Sequence, residues 1–165
     1  MKIEGKSIKL GDDINTDFII SGRYKFAITD IKELAKHIME DLDPNFFKKI
    51  VAGKSVIAAG NNFGMGSSRE QAPLVVKESG VVAVLAKSFA RIFYRNAFNK
   101  GLALLEADLY DKVEEGAAVE VDLSLGLIKA GGIEVKAKPI PAFMLELINE
   151  GGLINHLRKQ LEGRK

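Results

Sequence analysis

The sequence predicts a mixed α/β fold, with a parallel and an antiparallel sheet and flanking helices. Residues 55–59 and 81–86 are short, apolar, β-branched runs, as expected of strands covered on both faces. Between them lie a glycine-rich turn and a helical stretch, an order that implies a right-handed parallel crossover. From Leu102 onward the pattern changes to short strands punctuated by glycines, which reads as a meander of antiparallel hairpins.

The individual elements follow in chain order. Residues 2–10 alternate, with Ile3, Ile8 and Leu10 set among charges, and read as an edge strand. Gly11-Asp12-Asp13 turns the chain, and residues 17–27 read as a mixed loop. Asp30 is placed to cap a helix whose apolar stripe runs through Leu34, Ala35, Ile38 and Met39. Pro44 and Asn45 introduce a short helical turn around Phe46 and Phe47. Ser88 is expected to cap another helix, with Phe89, Ile92, Phe93 and Ala97 as its buried stripe and Gly101 as its end. Residues 102–106, 118–123, 127–129 and 133–137 supply the later strands. Pro141 opens a helix carrying Phe143, Met144, Leu147 and Ile148, and Gly151-Gly152 separates it from one more. No repeat or low-complexity linker interrupts this pattern, so residues 1–165 are expected to form a single domain.

Composition narrows the function classes. A net charge of +2 gives no strong field for nucleic acid or an anionic membrane. The late cations Arg158, Lys159, Arg164 and Lys165 read as a solvated helix end. The chain has no cysteine, which removes disulfides, thiol nucleophiles and any thiolate-held zinc or iron–sulfur site built by this chain alone. His37 and His156 stand far apart and read as surface or packing residues, so no metal is expected on this chain. The first ten residues are charged and unlike a signal peptide, and the run 81–86 is far shorter than the about 20 residues of a membrane span. A cytoplasmic protein with no membrane or nucleic-acid partner is the expectation.

The most informative segment is Gly60-Asn61-Asn62-Phe63-Gly64-Met65-Gly66-Ser67-Ser68-Arg69-Glu70-Gln71-Ala72-Pro73. It leaves a strand and enters a helix, so Ser67 and Ser68 are expected at a helix N-terminus, where free N–H groups attract carboxylate or phosphate. Gly64 and Gly66 allow close approach of the backbone, and Arg69 offers a two-pronged contact to a carboxylate. A plainer reading is compatible with this one: Ser67-Ser68-Arg69-Glu70 is a Ser-x-x-Glu capping box. Pro73 moves the expected start of the regular helix towards Ala72 or Pro73. The segment is not a nucleotide signature. Arg69 stands where the dinucleotide fingerprint needs a third glycine, and no Gly-Lys-Ser/Thr occurs.

With these residues in view, the sequence resembles the small subunits of 3-isopropylmalate dehydratase and its relatives in the aconitase superfamily. Asn61 to Glu70 is similar to that family's Asn-Phe-Gly-x-Gly-Ser-Ser-Arg-Glu loop, and Gly11 to Asp17 to its Gly-Asp-x-x-x-Thr-Asp signature. Ser88 to Ala97, followed by Gly101-Leu102, matches a third motif. The resemblance implies the swivelling β/β/α domain and a large-subunit partner whose cysteines hold a [4Fe–4S] cluster, with no cofactor bound by this chain. It implies hydro-lyase chemistry in leucine biosynthesis: a hydroxyl moves between neighbouring carbons by loss and regain of water. Residue matching places the catalytic base at Ser67 and substrate-carboxylate contacts at Ser68 and Arg69. Thr16 and Asp17 map to the same cleft, although Asp17 also reads as an acid that closes a turn. Arg91 and Arg95, one helical turn apart, read either as facing the cleft or as cations bracing acidic neighbours, with bracing the favoured reading.

The resemblance implies that the loop after the Thr-Asp signature senses the substrate's variable group. Here it carries Arg23, Tyr24, Lys25, Phe26 and Ala27. The apolar residues after Lys25 suit an isopropyl or methyl group, whereas Lys25 would suit an extra carboxylate, as in homoaconitate. Lys25 and Gln71 both depart from the family pattern. Isopropylmalate is the expected substrate, with homoaconitate or a methyl-substituted malate as alternatives. A non-catalytic module that binds carboxylate or phosphate is the rival from another class.

Overall fold

Strand β1 (Lys2–Leu10) joins two kinds of sheet into one. In a computed structural model, which describes residues 1–163, the remaining strands are β2 (Ser55–Ala59), β3 (Val81–Ala86), β4 (Ala103–Glu106), β5 (Ala118–Asp122), β6 (Leu127–Ala130) and β7 (Ile133–Lys136). Their order is β4-β3-β2-β1-β5-β6-β7. From Lys6 to Leu10, β1 pairs parallel with β2, and β2–β3 and β3–β4 continue in parallel. From Lys2 to Lys6, β1 pairs antiparallel with β5, and β6 and β7 follow as hairpins. The expected parallel and antiparallel parts are both present, sharing a strand. The expectation that residues 2–10 form an edge strand is corrected, because β1 is central. Its alternation reports burial on one face, which an antiparallel region commonly shows, and says nothing of how many strands flank it.

Strands β2 and β3 are almost wholly apolar, and every residue of β2 is buried, Ser55 included. The helices are α1 (Thr16–Ile19), α2 (Gly22–Lys25), α3 (Ile31–Ala35), α4 (Phe46–Lys49), α5 (Gln71–Glu78), α6 (Arg91–Lys100), α7 (Ala142–Asn149) and α8 (Leu153–Glu162). The first two lie in the stretch expected to be loop: Asn15 caps α1 by accepting the Phe18 N–H. Asp30 caps α3 as expected, accepting from Lys32 and Glu33. Regular helix ends at Ala35, and Met39 adopts φ 54°, so the stripe through Ile38 and Met39 is buried by turns rather than by continued helix.

The helix expected after Ser88 begins three residues later, with Ala90 at its N-cap. Ser88 serves another loop, its Oγ accepting the Asn62 N–H at 2.8 Å. The buried stripe of α6 is Phe93, Ala97 and Phe98, while Ile92 is 54% exposed. Gly101 ends the helix in a left-handed conformation (φ 75°), as its position predicts. His156 is buried between helices, its Nδ1 2.6 Å from Glu150 and its Nε2 2.9 Å from Gln160, a packing role. Arg158 and Lys159 are exposed on α8; Arg164 and Lys165 lie outside the described residues.

Candidate active site

Parallel strands that run side by side bring their carboxyl ends together, a common place for ligand sites in α/β sheets. Here the loops after β1, β2 and β3 meet at that end, and each carries one of the three sequence motifs. The Asp13 N–H donates to the Asn61 carbonyl (2.8 Å), the Gly64 N–H to Ile14 (2.7 Å) and the Thr16 N–H to Met65 (2.8 Å). The Asp12 carboxylate accepts the Asn61 N–H at 2.5 Å. On the other side, the Phe63 N–H donates to the Ser88 carbonyl and the Ala90 N–H to the Phe63 carbonyl, both at 3.0 Å. The loop after β2 is thus laced between its two neighbours. Phe63, fully buried, is its anchor, meeting Phe89 and Phe93 edge-on with ring centroids 6.1 and 5.3 Å away.

A cavity of about 200 Å³ opens beside this junction. Thr16, Gly64, Gly66, Ser67, Ser68 and Arg69 form one wall. Both serines are exposed. Gly64 (φ 81°) lies against Phe93, where a Cβ would overlap the ring, and Gly66 (φ 96°) lies against Thr16. The Thr16 hydroxyl donates to the Ser67 carbonyl at 2.9 Å and fixes the serine segment from beneath. Among the described residues, the N–H groups of Gly66, Ser67, Ser68 and Arg69 donate to no protein acceptor. They form a short run of donors at the cavity edge, of the kind that receives an anion.

Regular helix starts within two residues of where Pro73 placed it, but the expectation that Ser67 and Ser68 stand at its N-terminus needs correction. Regular helix begins at Gln71, Glu70 occupies the N-cap position without a side-chain cap bond, and the Ser67–Glu70 capping box does not form. Ser67 and Ser68 therefore stand on the loop before the first turn of α5, and its dipole acts on them more weakly than a cap position would allow. Arg69 and Asp17, read separately in the sequence, form an ion pair, and Arg69 Nη1 also donates to the Ile20 carbonyl at 2.7 Å. With its side chain only 14% exposed, Arg69 ties the serine loop to α1. Asp17 is absent from the cavity lining and reaches the site through Arg69.

The Aconitase C-terminal domain family matches residues 30–108, which include the serine loop and the start of α6. The small subunit 2 of 3-isopropylmalate dehydratase from Archaeoglobus fulgidus is 54% identical over 96% of this chain and 96% of its own length. The small subunit from Syntrophus aciditrophicus is 52% identical, covering 99% of this chain and all of its own. The chain belongs to the 3-isopropylmalate dehydratase small-subunit family. The crystal structure of 3-isopropylmalate dehydratase (leuD) from Methanocaldococcus jannaschii superposes with a TM-score of 0.92 at 45% identity, covering 99% of this chain and 98% of that one. The fold expected from the sequence is therefore that of the family.

Within this small-subunit framework, the loop expected to govern specificity stands apart from the cavity. None of Arg23, Tyr24, Lys25, Phe26 and Ala27 lines it. Arg23 pairs with Asp41, and Tyr24 donates to Glu40 at 2.8 Å and stacks on His37 with centroids 3.9 Å apart. His37, 2.5 Å from Glu40, thus has a packing role. Lys25 lies 5.3 Å from the Phe26 ring centroid, and Phe26 is 85% exposed.

Hydrogen bonds from His37 and then Tyr24 hold the Glu40 carboxyl below its ordinary value of 4.5. A folded-state value that is depressed stabilises the fold above the unfolded value, and the contribution disappears as pH falls through the folded one. Glu40→Gln is therefore expected to lower Tm most at neutral pH. The gap to the parent should close as pH drops below about 4.5. Melting curves of both proteins between neutral and acid pH measure this.

Sequence reasoning assigned no residue to the far wall of the cavity except through the less favoured, cleft-facing reading of Arg91. That wall is formed by Ala90, Arg91, Ile92, Phe93 and Asn96. The third motif did point to this segment, but the apolar-stripe rule assigned Ile92 to the core. The bracing role expected of Arg91 and Arg95 is also corrected, because among the described residues neither pairs with an acid. Among those residues, too, no group of three or more His, Cys, Asp or Glu is arranged to hold a metal, and no helix is long and apolar enough to cross a membrane.

Proposed function

We propose that this chain is the small subunit of a 3-isopropylmalate dehydratase, interconverting 2- and 3-isopropylmalate by dehydration and rehydration in leucine biosynthesis, with Ser67 as the base. The observation that supports it best is the exposed Ser67 hydroxyl on the wall of a cavity built where all three family motifs meet. A serine is a weak base, so its charged form needs stabilising donors. The unpaired N–H groups from Gly66 to Arg69 stand where such donors are required. Arg69 contributes less free charge than its sequence position implies, because Asp17 neutralises it. Its main work is to hold the serine loop in register, while Ser68 offers a second hydroxyl to a substrate carboxylate. The Thr16 hydroxyl fixes the Ser67 backbone.

The reading requires a large subunit carrying a [4Fe–4S] cluster. This chain has no cysteine and does not fit such a group. Bound on the partner, the cluster supplies Lewis-acid polarisation of the substrate. Proton removal and orientation fall to the residues above.

Purified alone, the chain is expected to be inactive. Mixed with a cluster-loaded large subunit of the family, it should turn over isopropylmalate faster than homoaconitate, citrate or methyl-substituted malates. A preference for tricarboxylates, lost in Lys25→Ala, would instead assign the alternative substrate class. Carboxylate binding by the isolated chain, with no association to a large subunit, would favour the non-catalytic module.

A further inference from the structure

Among the described residues, two cations line the cavity, and they are not equivalent. Arg69 is largely buried and committed to Asp17 and the Ile20 carbonyl. Arg91, the first residue of α6, is exposed and, among the described residues, forms no ion pair or side-chain hydrogen bond. A cation at a helix N-terminus opposes the helix dipole, so this position brings no local stabilisation to explain an arginine. Among the described residues, no acidic side chain lines the cavity to neutralise it. A guanidinium with a free planar fork, facing two serine hydroxyls across a cavity, matches a carboxylate in charge and geometry. Next to it, Ile92 is exposed in the same lining, an apolar surface beside the charge.

We infer that Arg91 binds a substrate carboxylate, with Ile92 receiving the neighbouring apolar group. The inference rests on the proposed hydro-lyase reading and adds to it a contact that the motif matching did not assign. Arg69, in this arrangement, positions the loop, and Arg91 supplies the free charge.

The test uses Arg91→Gln and Arg91→Lys in the small subunit, each assembled with the large subunit. For Arg91→Gln, KM for isopropylmalate is expected to rise at least about tenfold, with a smaller fall in kcat, as loss of a charged hydrogen bond predicts. Arg91→Lys should lie between it and the parent, because charge is kept and the fork is lost. Calorimetric titration of malonate into the assembled protein gives a readout independent of turnover and should show the same ranking. A KM and a malonate affinity within about twofold of the parent overturn the inference. So does a defect that vanishes at saturating large subunit, which would make Arg91 an interface residue. If the parent pair fails to act on isopropylmalate, the functional reading falls, and the malonate titration alone decides whether Arg91 binds carboxylate.

Discussion

Ser67→Ala, assembled with the large subunit, is expected to lower kcat by about 10²–10⁴-fold, the range for loss of a positioned proton-transfer group. KM should change little, since the donors on the loop backbone remain. Stability should hardly move: Ser67 is exposed, among the described residues its hydroxyl forms no hydrogen bond, and the Thr16 contact is to its backbone carbonyl. Single-turnover kinetics and a thermal melt of the same preparation separate the two quantities. A variant that retains most of the parent rate would remove Ser67 from the chemistry, and the N–H donors would then serve only to bind an anion.

Gly64→Ala should act in the opposite way, by damaging the scaffold. Two costs coincide at this position. The backbone sits at φ 81°, which an L side chain adopts under strain of about 1–3 kcal/mol. The new methyl would also overlap the Phe93 ring, and overpacking of this kind costs about 1–3 kcal/mol more. Phe93 cannot retreat freely, because it also meets Phe63 edge-on. The expected outcome is a loss of about 2–6 kcal/mol in chemical denaturation, together with activity lost through displacement of both cavity walls. Gly66→Ala is a useful contrast. It has a similarly unusual φ of 96°, but the nearest atom to a new Cβ is the Thr16 hydroxyl at 3.4 Å, so strain would dominate there and overlap would not.

The sequence made some of this arrangement legible. The Gly11-Asp12-Asp13 turn and the glycine-rich run after residue 59 pointed to two of the loops that meet at the site, because loop chemistry is set by local backbone needs. The Asp30 cap and the Gly101 stop were readable for the same reason. What escaped depended on long-range partners. Ser88 has the sequence look of a cap, yet its hydroxyl is taken by Asn62 from another loop. Ile92 fits an apolar helical stripe, but the turn to which it belongs borders a cavity rather than the core. Arg69 and Asp17 are separated by half a hundred residues, so their pairing had no local sign. The position of residues 23–27 away from the cavity depends on Asp41, Glu40 and His37, contacts that no spacing rule anticipates.

The dual allegiance of β1 also bears on how the protein comes apart. Lys6 belongs to both registers, opposite Ser55 on one side and Ala118 on the other, and the strand has no seam at which it can be divided. Fraying of the carboxyl-terminal hairpins would strip a neighbour from the same strand whose far end leads, through the loop after Leu10, to Thr16 and Asp17. The hairpins, remote from the chemistry, are therefore held in one cooperative unit with it, and amide protons on either side of β1 should exchange through a common opening event.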